Sequence, residues 1–289
     1  MYGSPWSAPA WMKSNNALNG QGYLLPEYYQ PWADYYVKFL DAYKEEGISM
    51  WGLTAQNEPL DGNIPGFTFN CMGWNASTQA TWIGQHLGPS LEAGGYEDIK
   101  IMAFDDQRPL LSAWAKDVME DSDAAKYVDG WAVHWYVDFL GGPGVLDSVN
   151  EEYPEKFILF SEACTGSYPW DLQKVLLGSW ERGEEYIYDI ITNLNHWSTG
   201  WTDWNLVLDM NGGPNWANNV VDAPIIVNPE NDEFYKNPVY YGLAHFSKFL
   251  PEGSYRIKHE MTGYDSDRIE VFLLQIFYCL SITISECCF

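Results

Sequence analysis

The sequence predicts an α/β fold: a partial (β/α)8 TIM barrel of about five βα units, followed by the start of an antiparallel β-module. Two observations carry that prediction. Short apolar runs alternate with longer amphipathic stretches at intervals of roughly 30 to 50 residues, the pace of parallel βα units. Each apolar run also ends in polar residues able to do chemistry, as strands do at the C-terminal face of a barrel. Residues 1–250 read as the barrel domain and residues 251–289 as a truncated β-sandwich segment with an apolar, cysteine-containing tail.

A helix comes first, because Trp32, Tyr35, Tyr36, Phe39, Leu40 and Tyr43 recur at helical spacing between Pro31 and Gly47. The run 48–54 reads as a strand leading into Ala55-Gln56-Asn57-Glu58-Pro59. A helix over 81–91 stops at Gly94-Gly95, and a strand over 99–104 ends in Asp105-Asp106-Gln107-Arg108. The next units pair a helix over 109–119 with a strand over 131–136, then a weaker helix over 145–152 with a strand over 157–160 that ends in Ser161-Glu162-Ala163-Cys164. Asp171 reads as the N-cap of a long helix reaching Leu194, ahead of a strand over 200–206 and a closing helix over 238–250. Beyond Pro251, residues 255–259 and 268–273 read as antiparallel strands, and the stretch 271–285 is 15 residues without a charge. That is short of the roughly 20 apolar residues a membrane span needs, so a buried strand pair or a non-native end of the coding sequence is the favoured reading.

Composition excludes whole classes. The 289 residues hold 15 Lys and Arg against 40 Asp and Glu, a formal charge of −25, which disfavours nucleic acid as a partner. The 46% hydrophobic and 17% aromatic content excludes disorder, and the 15 Trp suit either a sugar cleft or a packed core. The five cysteines (Cys71, Cys164, Cys279, Cys287 and Cys288) have no disulfide or metal-ligand spacing. No apolar signal core opens the chain, and Asn75-Ala76-Ser77 is an N-glycosylation triplet that matters only in a secreted protein.

The strand ends offer Asn57 and Glu58, Asp106 and Gln107, His134 and Tyr136, Glu162, and Asp203 and Trp204. Two glutamates at strand ends suit glycoside hydrolysis, where one carboxyl protonates the leaving oxygen and the other attacks the anomeric carbon. No phosphate loop, serine-nucleophile elbow or metal-ligand cluster competes. Each residue also has a plainer reading. A strand-end glutamate can cap a helix or pair with a surface lysine, His134 and Trp204 can be core residues, and Cys164 a small buried hydrophobe. Asp105-Asp106 reads as a loop N-cap for the helix after Pro109.

The combination is more specific than its members. Asn57-Glu58-Pro59 after an apolar strand is the Asn-Glu-Pro signature of clan A glycoside hydrolases, and the chain from about Ser4 to about Val271 resembles the glucosylceramidase (acid β-glucosidase) family. The stretches that carry the resemblance include SPWSAPAWMK, AQNEP, DDQRPLLSAWAK, AVHWYVDFL, SEACTGS, ITNLNHWSTGWTDWNL and GGPNWANNVVDAPIIV. It implies a retaining hydrolase of glucosylceramide or a related β-glucoside, lysosomal, without cofactor or metal, aided by a saposin-type activator and anionic lipid at a membrane surface.

By the same resemblance Glu58 is the acid/base and Glu162 the nucleophile. Asn57 would bind the sugar 2-hydroxyl, Tyr136 hold the nucleophile with His134 nearby, and Trp6 and Trp204 line the glucose pocket. Asn218 would sit in an entrance loop, Gln107 toward the lipid side, and Phe67 and Phe69 near the aglycone. The acid/base must keep its proton beside an ionised partner. There are departures: the family's earlier strands, with an Asp and an Arg that contact glucose, have no counterpart, Asn219 replaces a usual aromatic, and the tail FLLQIFYCLSITISECCF matches nothing. The chain therefore looks like a fragment, and the competing expectation is a non-catalytic chain that at most binds sugar or a partner.

Overall fold

The computed structural model describes residues 1–257 and 274–275. Six strands form one sheet in sequence order: β1 Tyr2–Gly3, β2 Gly52–Thr54, β3 Lys100–Gln107, β4 Val128–His134, β5 Phe157–Glu162 and β6 Ser198–Trp201. Every neighbouring pair is parallel. Parallel strands in chain order with helical crossovers are the architecture of part of a (β/α)8 barrel. The five expected strands are all present, and β1 is an addition: two residues carry no periodic signal, and only pairing with Gly52 and Leu53 of β2 makes Tyr2–Gly3 a strand.

The crossovers are helical for identifiable reasons. In α1, Tyr29–Glu45, the buried faces of Trp32, Tyr36 and Leu40 repeat every four residues. The next helix starts earlier than its apolar spacing predicts, since Asn75 caps α2 (Ala76–Trp82) by accepting from the Thr78 N–H at 2.8 Å. It then runs through a π turn at Ile83–Leu87 into α3, Gly88–Ala93. The tight approach at that turn requires glycine: a Cβ on Gly84 would lie 2.6 Å from the Ala124 backbone nitrogen.

Four helices complete the crossovers before the last strand of the main sheet: α4 Leu111–Met119, α5 Ser122–Tyr127, α6 Gly144–Glu152 and α7 Trp180–Asn195. Asp171 does not cap α7; Ser179 does, accepting from Arg182 N–H, while Asp171 accepts from Tyr168 N–H in its own turn. The closing helix is α8, Pro238–Phe249, and it packs on α7. The core between sheet and helices is aromatic, with Trp82, Phe104, Trp131, Phe160 and Tyr186 fully buried.

One further feature lies beyond what periodicity predicts. A small sheet of β7 Val207–Asp209, β8 Ile225–Asn228 and β9 Glu233–Lys236 follows the last barrel strand. It pairs parallel between β7 and β8, then antiparallel to β9. The antiparallel module is represented by β10, Tyr255–Arg256, paired with β11, Leu274–Gln275. The expected strand over 268–273 lies outside the described residues, as do Cys279, Cys287, Cys288 and most of the uncharged run. No helix among the described residues is long and apolar enough to cross a membrane.

The main correction concerns Asp105 and Asp106. Both lie inside β3 and neither caps a helix; a 3-10 turn, Arg108–Leu110, leads into α4 instead. Phe104 and Asp105 take φ of +75° and +61°, and the register with β4 slips between Phe104 and Asp106. A bulge with two non-glycine residues at positive φ costs energy that the surrounding packing must offset, and such features gather at functional sites. Here it turns the Asp105 carboxylate toward the strand ends.

Candidate active site

The C-terminal ends of β2, β4 and β5 bring Glu58, His134 and Glu162 together, and donor atoms of the three lie within 4.8 Å of one another. Glu162 is the last residue of β5 and His134 the last of β4, so strand geometry alone aims both into the site. Glu58 stands four residues past β2 with φ +39°, its N–H bonded to the Asp105 carbonyl at 2.9 Å. That left-handed turn bends the chain after Asn57 and points the carboxylate back over the sheet.

Each carboxylate has its own set of donors. Glu58 Oε1 accepts from Gln107 Nε2 at 2.8 Å and lies 3.1 Å from His134 Nδ1. Glu162 Oε1 accepts from Tyr136 Oη at 2.9 Å and is 4.0 Å from the same His134 nitrogen. With its amide turned so that both ends are satisfied, Asn57 donates to Glu162 Oε2 at 3.3 Å and accepts from the Trp6 indole at 3.1 Å. His134 is completely buried, and its Nε2 faces Asp105 Oδ1 at 3.1 Å. Asp105 in turn accepts from Ser161 Oγ and Ser4 Oγ, both at 2.6 Å. Asp105, Ser4 and Ser161 thus fix the ring of His134, a supporting set that sequence reasoning missed. Its one visible signal was an aspartate pair at the end of an apolar run.

Electrostatics distribute the protons unevenly. Burial raises Glu162 to about 8, aided by the charges of Glu58 and Asp105 and opposed by His134. Burial would raise Glu58 too, but the hydrogen bond and charge of His134 outweigh it and hold that carboxyl below its usual range. His134 itself loses charge to burial yet is held well above its ordinary value by Glu162, Asp105 and Glu58. The two carboxyls are thus pushed apart in opposite directions, Glu162 up by burial and Glu58 down by His134. Asp61, three residues after Glu58 and hydrogen-bonded to it, is pushed up by burial and by that neighbour to about 10. Asp106 rises by burial to about 7 while accepting from Leu60 N–H.

The same shifts set how stability depends on pH. Glu162 (about 8), Asp106 (about 7), Asp203 (about 7) and Asp138 (about 8) all keep protons in the fold that the unfolded chain releases near pH 4. Between those limits the native state binds more protons than the unfolded one, so stability falls as pH rises. Charged His134 adds to the trend, since its raised value favours the fold until that proton is lost. Glu58 and Asp105, held below their usual range, are ionised in both states over this window and leave the trend unchanged. Thermal denaturation across pH should give a Tm lower by about 5 °C or more at pH 8 than at pH 5. A flat or rising profile would contradict the assignment of buried neutral carboxyls.

The remaining candidate residues surround this centre. A cavity of about 550 Å³ is lined by Tyr2, Trp6, Asn57, Glu162, Asp203 and Trp204, among others. Trp204 is tied to the strand end by its N–H to the Ala163 carbonyl at 2.8 Å. Gln107, expected toward the lipid side, donates its side-chain amide to Glu58. Phe67 meets Phe69 edge-on at 4.5 Å. Asn218 is exposed, in a turn with φ +57°, and its neighbours Asn215, Trp216 and Asn219 line a cleft beside it. Glu58, His134 and Glu162 are also the donors best placed to hold a divalent cation among the described residues.

This arrangement brings together two carboxyls able to carry out acid/base and nucleophilic chemistry, and the comparisons place the chain among glycosyl hydrolases. The chain spans about half the length of the curated relatives it matches. Lysosomal acid glucosylceramidase of Mus musculus is 49% identical over 262 residues, 89% of this chain and 50% of that protein. The crystal structure of SrfJ from Salmonella typhimurium superposes with a TM-score of 0.79 at 31% identity, over 88% of this chain and 54% of that one. An endo-β1,6-glucanase superposes at 0.77 with 29% identity, over 89% and 57%. The description "Glycosyl hydrolase family 30 TIM-barrel domain" matches residues 1–250, so the chain belongs to glycosyl hydrolase family 30.

Proposed function

We propose that this site is that of a retaining β-glucosidase acting on glucosylceramide or a related β-glucoside by double displacement. The observation that carries the reading is the spacing of Glu58 and Glu162, one carboxyl oxygen of each lying within 4.8 Å of the other. Retaining enzymes hold their carboxyls about 5–5.5 Å apart, while inverting enzymes leave about 6.5–9.5 Å for a water. In this reading ionised Glu162 attacks the anomeric carbon as Glu58 gives its proton to the departing oxygen. Glu58 then takes a proton from water, which attacks the glucosyl ester and frees β-glucose. Asn57 hydrogen-bonds the sugar 2-hydroxyl, and Trp6 and Trp204 form the walls of the glucose pocket.

Burial raises Glu162 and His134 lowers Glu58, so the reactive form needs the proton of the pair brought onto Glu58. His134 Nδ1, at 3.1 Å from one carboxylate and 4.0 Å from the other, is the bridge: it gives its proton to Glu58 and takes one from Glu162. The net effect is one proton shifted between carboxyls with His134 unchanged, and the two glutamates titrate as a pair.

A lipid aglycone and a lysosomal, membrane-surface setting belong to the same proposal, by likeness to the mouse lysosomal relative. Phe139, Leu140, Trp170 and Leu172, 64–98% exposed, stand on the loops after β4 and β5, the end of the sheet that carries His134 and Glu162. Large apolar side chains left in water at a site mouth suit contact with lipid. A formal charge of −25 opposes direct approach to anionic lipid, and a saposin-type activator would relieve that repulsion.

The test is hydrolysis of an aryl β-glucoside by the full chain at acid pH, with the anomer of the released sugar followed by proton NMR. The β-anomer should appear first and mutarotate later. Release of the α-anomer would overturn the double displacement. A folded chain that binds glucose without turnover would favour the binding-only alternative.

A further inference from the structure

The catalytic site makes no use of the Asn75-Ala76-Ser77 triplet, whose geometry is that of an open acceptor. Asn75 and Ser77 are both exposed. Asn75 Oδ1 accepts from Thr78 N–H at 2.8 Å, whereas its Nδ2 engages no protein group among the described residues. A glycan attaches through Nδ2 and leaves Oδ1 to hold that bond, so modification and the local fold are compatible. Beside Asn75 lies a cleft of about 220 Å³, walled by the rings of Tyr23, Tyr29 and Trp74 and lined also by Asn63, Asn75 and Thr78. The Tyr23 ring is 57% exposed, while Trp74 is buried and packs on Tyr29 with ring centroids 5.5 Å apart. Trp74 is held in place: its N–H donates to the Pro59 carbonyl at 3.0 Å, and its carbonyl accepts from Asn63 Nδ2 at 3.2 Å.

We propose that Asn75 carries an N-linked glycan whose first N-acetylglucosamine seats in this aromatic cleft. The inference rests on the lysosomal setting, which routes a chain past the glycosylating machinery of the secretory pathway. In the transfer, the C1–O bond of a polyprenyl-pyrophosphate-linked oligosaccharide breaks and the bond from Asn75 Nδ2 to that C1 forms. One amide proton is released, and the polyprenyl pyrophosphate leaves. Because Asn75 itself lines the cleft, its first sugar is delivered there at high effective concentration and needs little affinity of its own. Aromatic rings pack on the C–H face of a pyranose, and a cleft lined by no acidic or basic side chain suits a neutral sugar.

The test places the full chain behind a cleavable secretory leader in a eukaryotic host, beside Ser77→Ala, which removes the triplet and keeps the Asn75 cap. Peptide mass spectrometry should find a glycan on Asn75 in the parent and none in the variant. Because the leader supplies entry, an unmodified Asn75 in the translocated chain overturns the inference. The lysosomal setting fails separately, if the native protein is found outside the secretory pathway. Two glycosidases then probe the cleft. Trimming to the innermost N-acetylglucosamine should leave the Tm unchanged. Removing the whole glycan converts the asparagine to aspartate, itself a good cap, and should lower the Tm by about 2 °C or more. That drop should vanish in Tyr23→Ala. Equal Tm for the trimmed and the fully deglycosylated parent, or a drop that persists in Tyr23→Ala, overturns the seating.

Discussion

Glu162→Gln lowers turnover of aryl and lipid β-glucosides by on the order of 10⁴ to 10⁶, the range seen when a covalent nucleophile is removed from an assembled site. Glutamine keeps the shape and can still accept from Tyr136, so the loss reports chemistry and not collapse. The carboxyl is neutral in the resting fold up to about pH 8, so a neutral amide suits the burial. The variant should therefore match the parent Tm at pH 5 and exceed it above pH 8, where the parent must ionise a buried group. Parallel steady-state kinetics and denaturation at the two pH values check both halves. Activity within tenfold of the parent would remove Glu162 from the reaction.

Glu58→Gln has an effect that depends on the leaving group. A poor leaving group, such as the primary hydroxyl of a lipid, needs the proton from Glu58, so its hydrolysis falls by about 10²- to 10⁴-fold, the usual worth of a positioned general acid. A dinitrophenyl glucoside leaves without help, so its glucosyl ester still forms and then accumulates, because Glu58 is also the base that activates water. The expected signature is a burst of dinitrophenol, a slow steady rate and a lowered KM. An external nucleophile such as azide, which needs no base, should restore turnover and yield β-glucosyl azide. Equal loss with both leaving groups would mean that Glu58 holds the site together without transferring a proton.

Part of this was legible in the sequence. Glu58 and Glu162 announce themselves because each stands at or just past the end of an apolar strand, and helical crossovers put successive strand ends side by side. The support around them was not legible. Asp105 reaches His134 only because Phe104 and Asp105 adopt positive φ inside a strand, which packing from both sides imposes. Residue type at that position points to a helix cap instead. Tyr2–Gly3 is a strand solely by virtue of its partner, and Ser179 displaces Asp171 as the α7 cap because the loop before it folds on itself. The opposite shifts of Glu58 and Glu162 were hidden for the same reason. They depend on which carboxylate His134 touches, a distance no spacing along the chain encodes.

The central claim, that Glu162 becomes covalently glucosylated, is tested most directly by trapping. A 2-deoxy-2-fluoro-β-glucoside with a dinitrophenyl leaving group, incubated with the full chain at acid pH, slows the hydrolysis of the glucosyl ester more than its formation. Peptide mapping by mass spectrometry should find one fluoroglucosyl group per chain, on the peptide containing Glu162, and none in Glu162→Gln. A label on Glu58, or none on a chain that hydrolyses the ordinary glucoside, would contradict it.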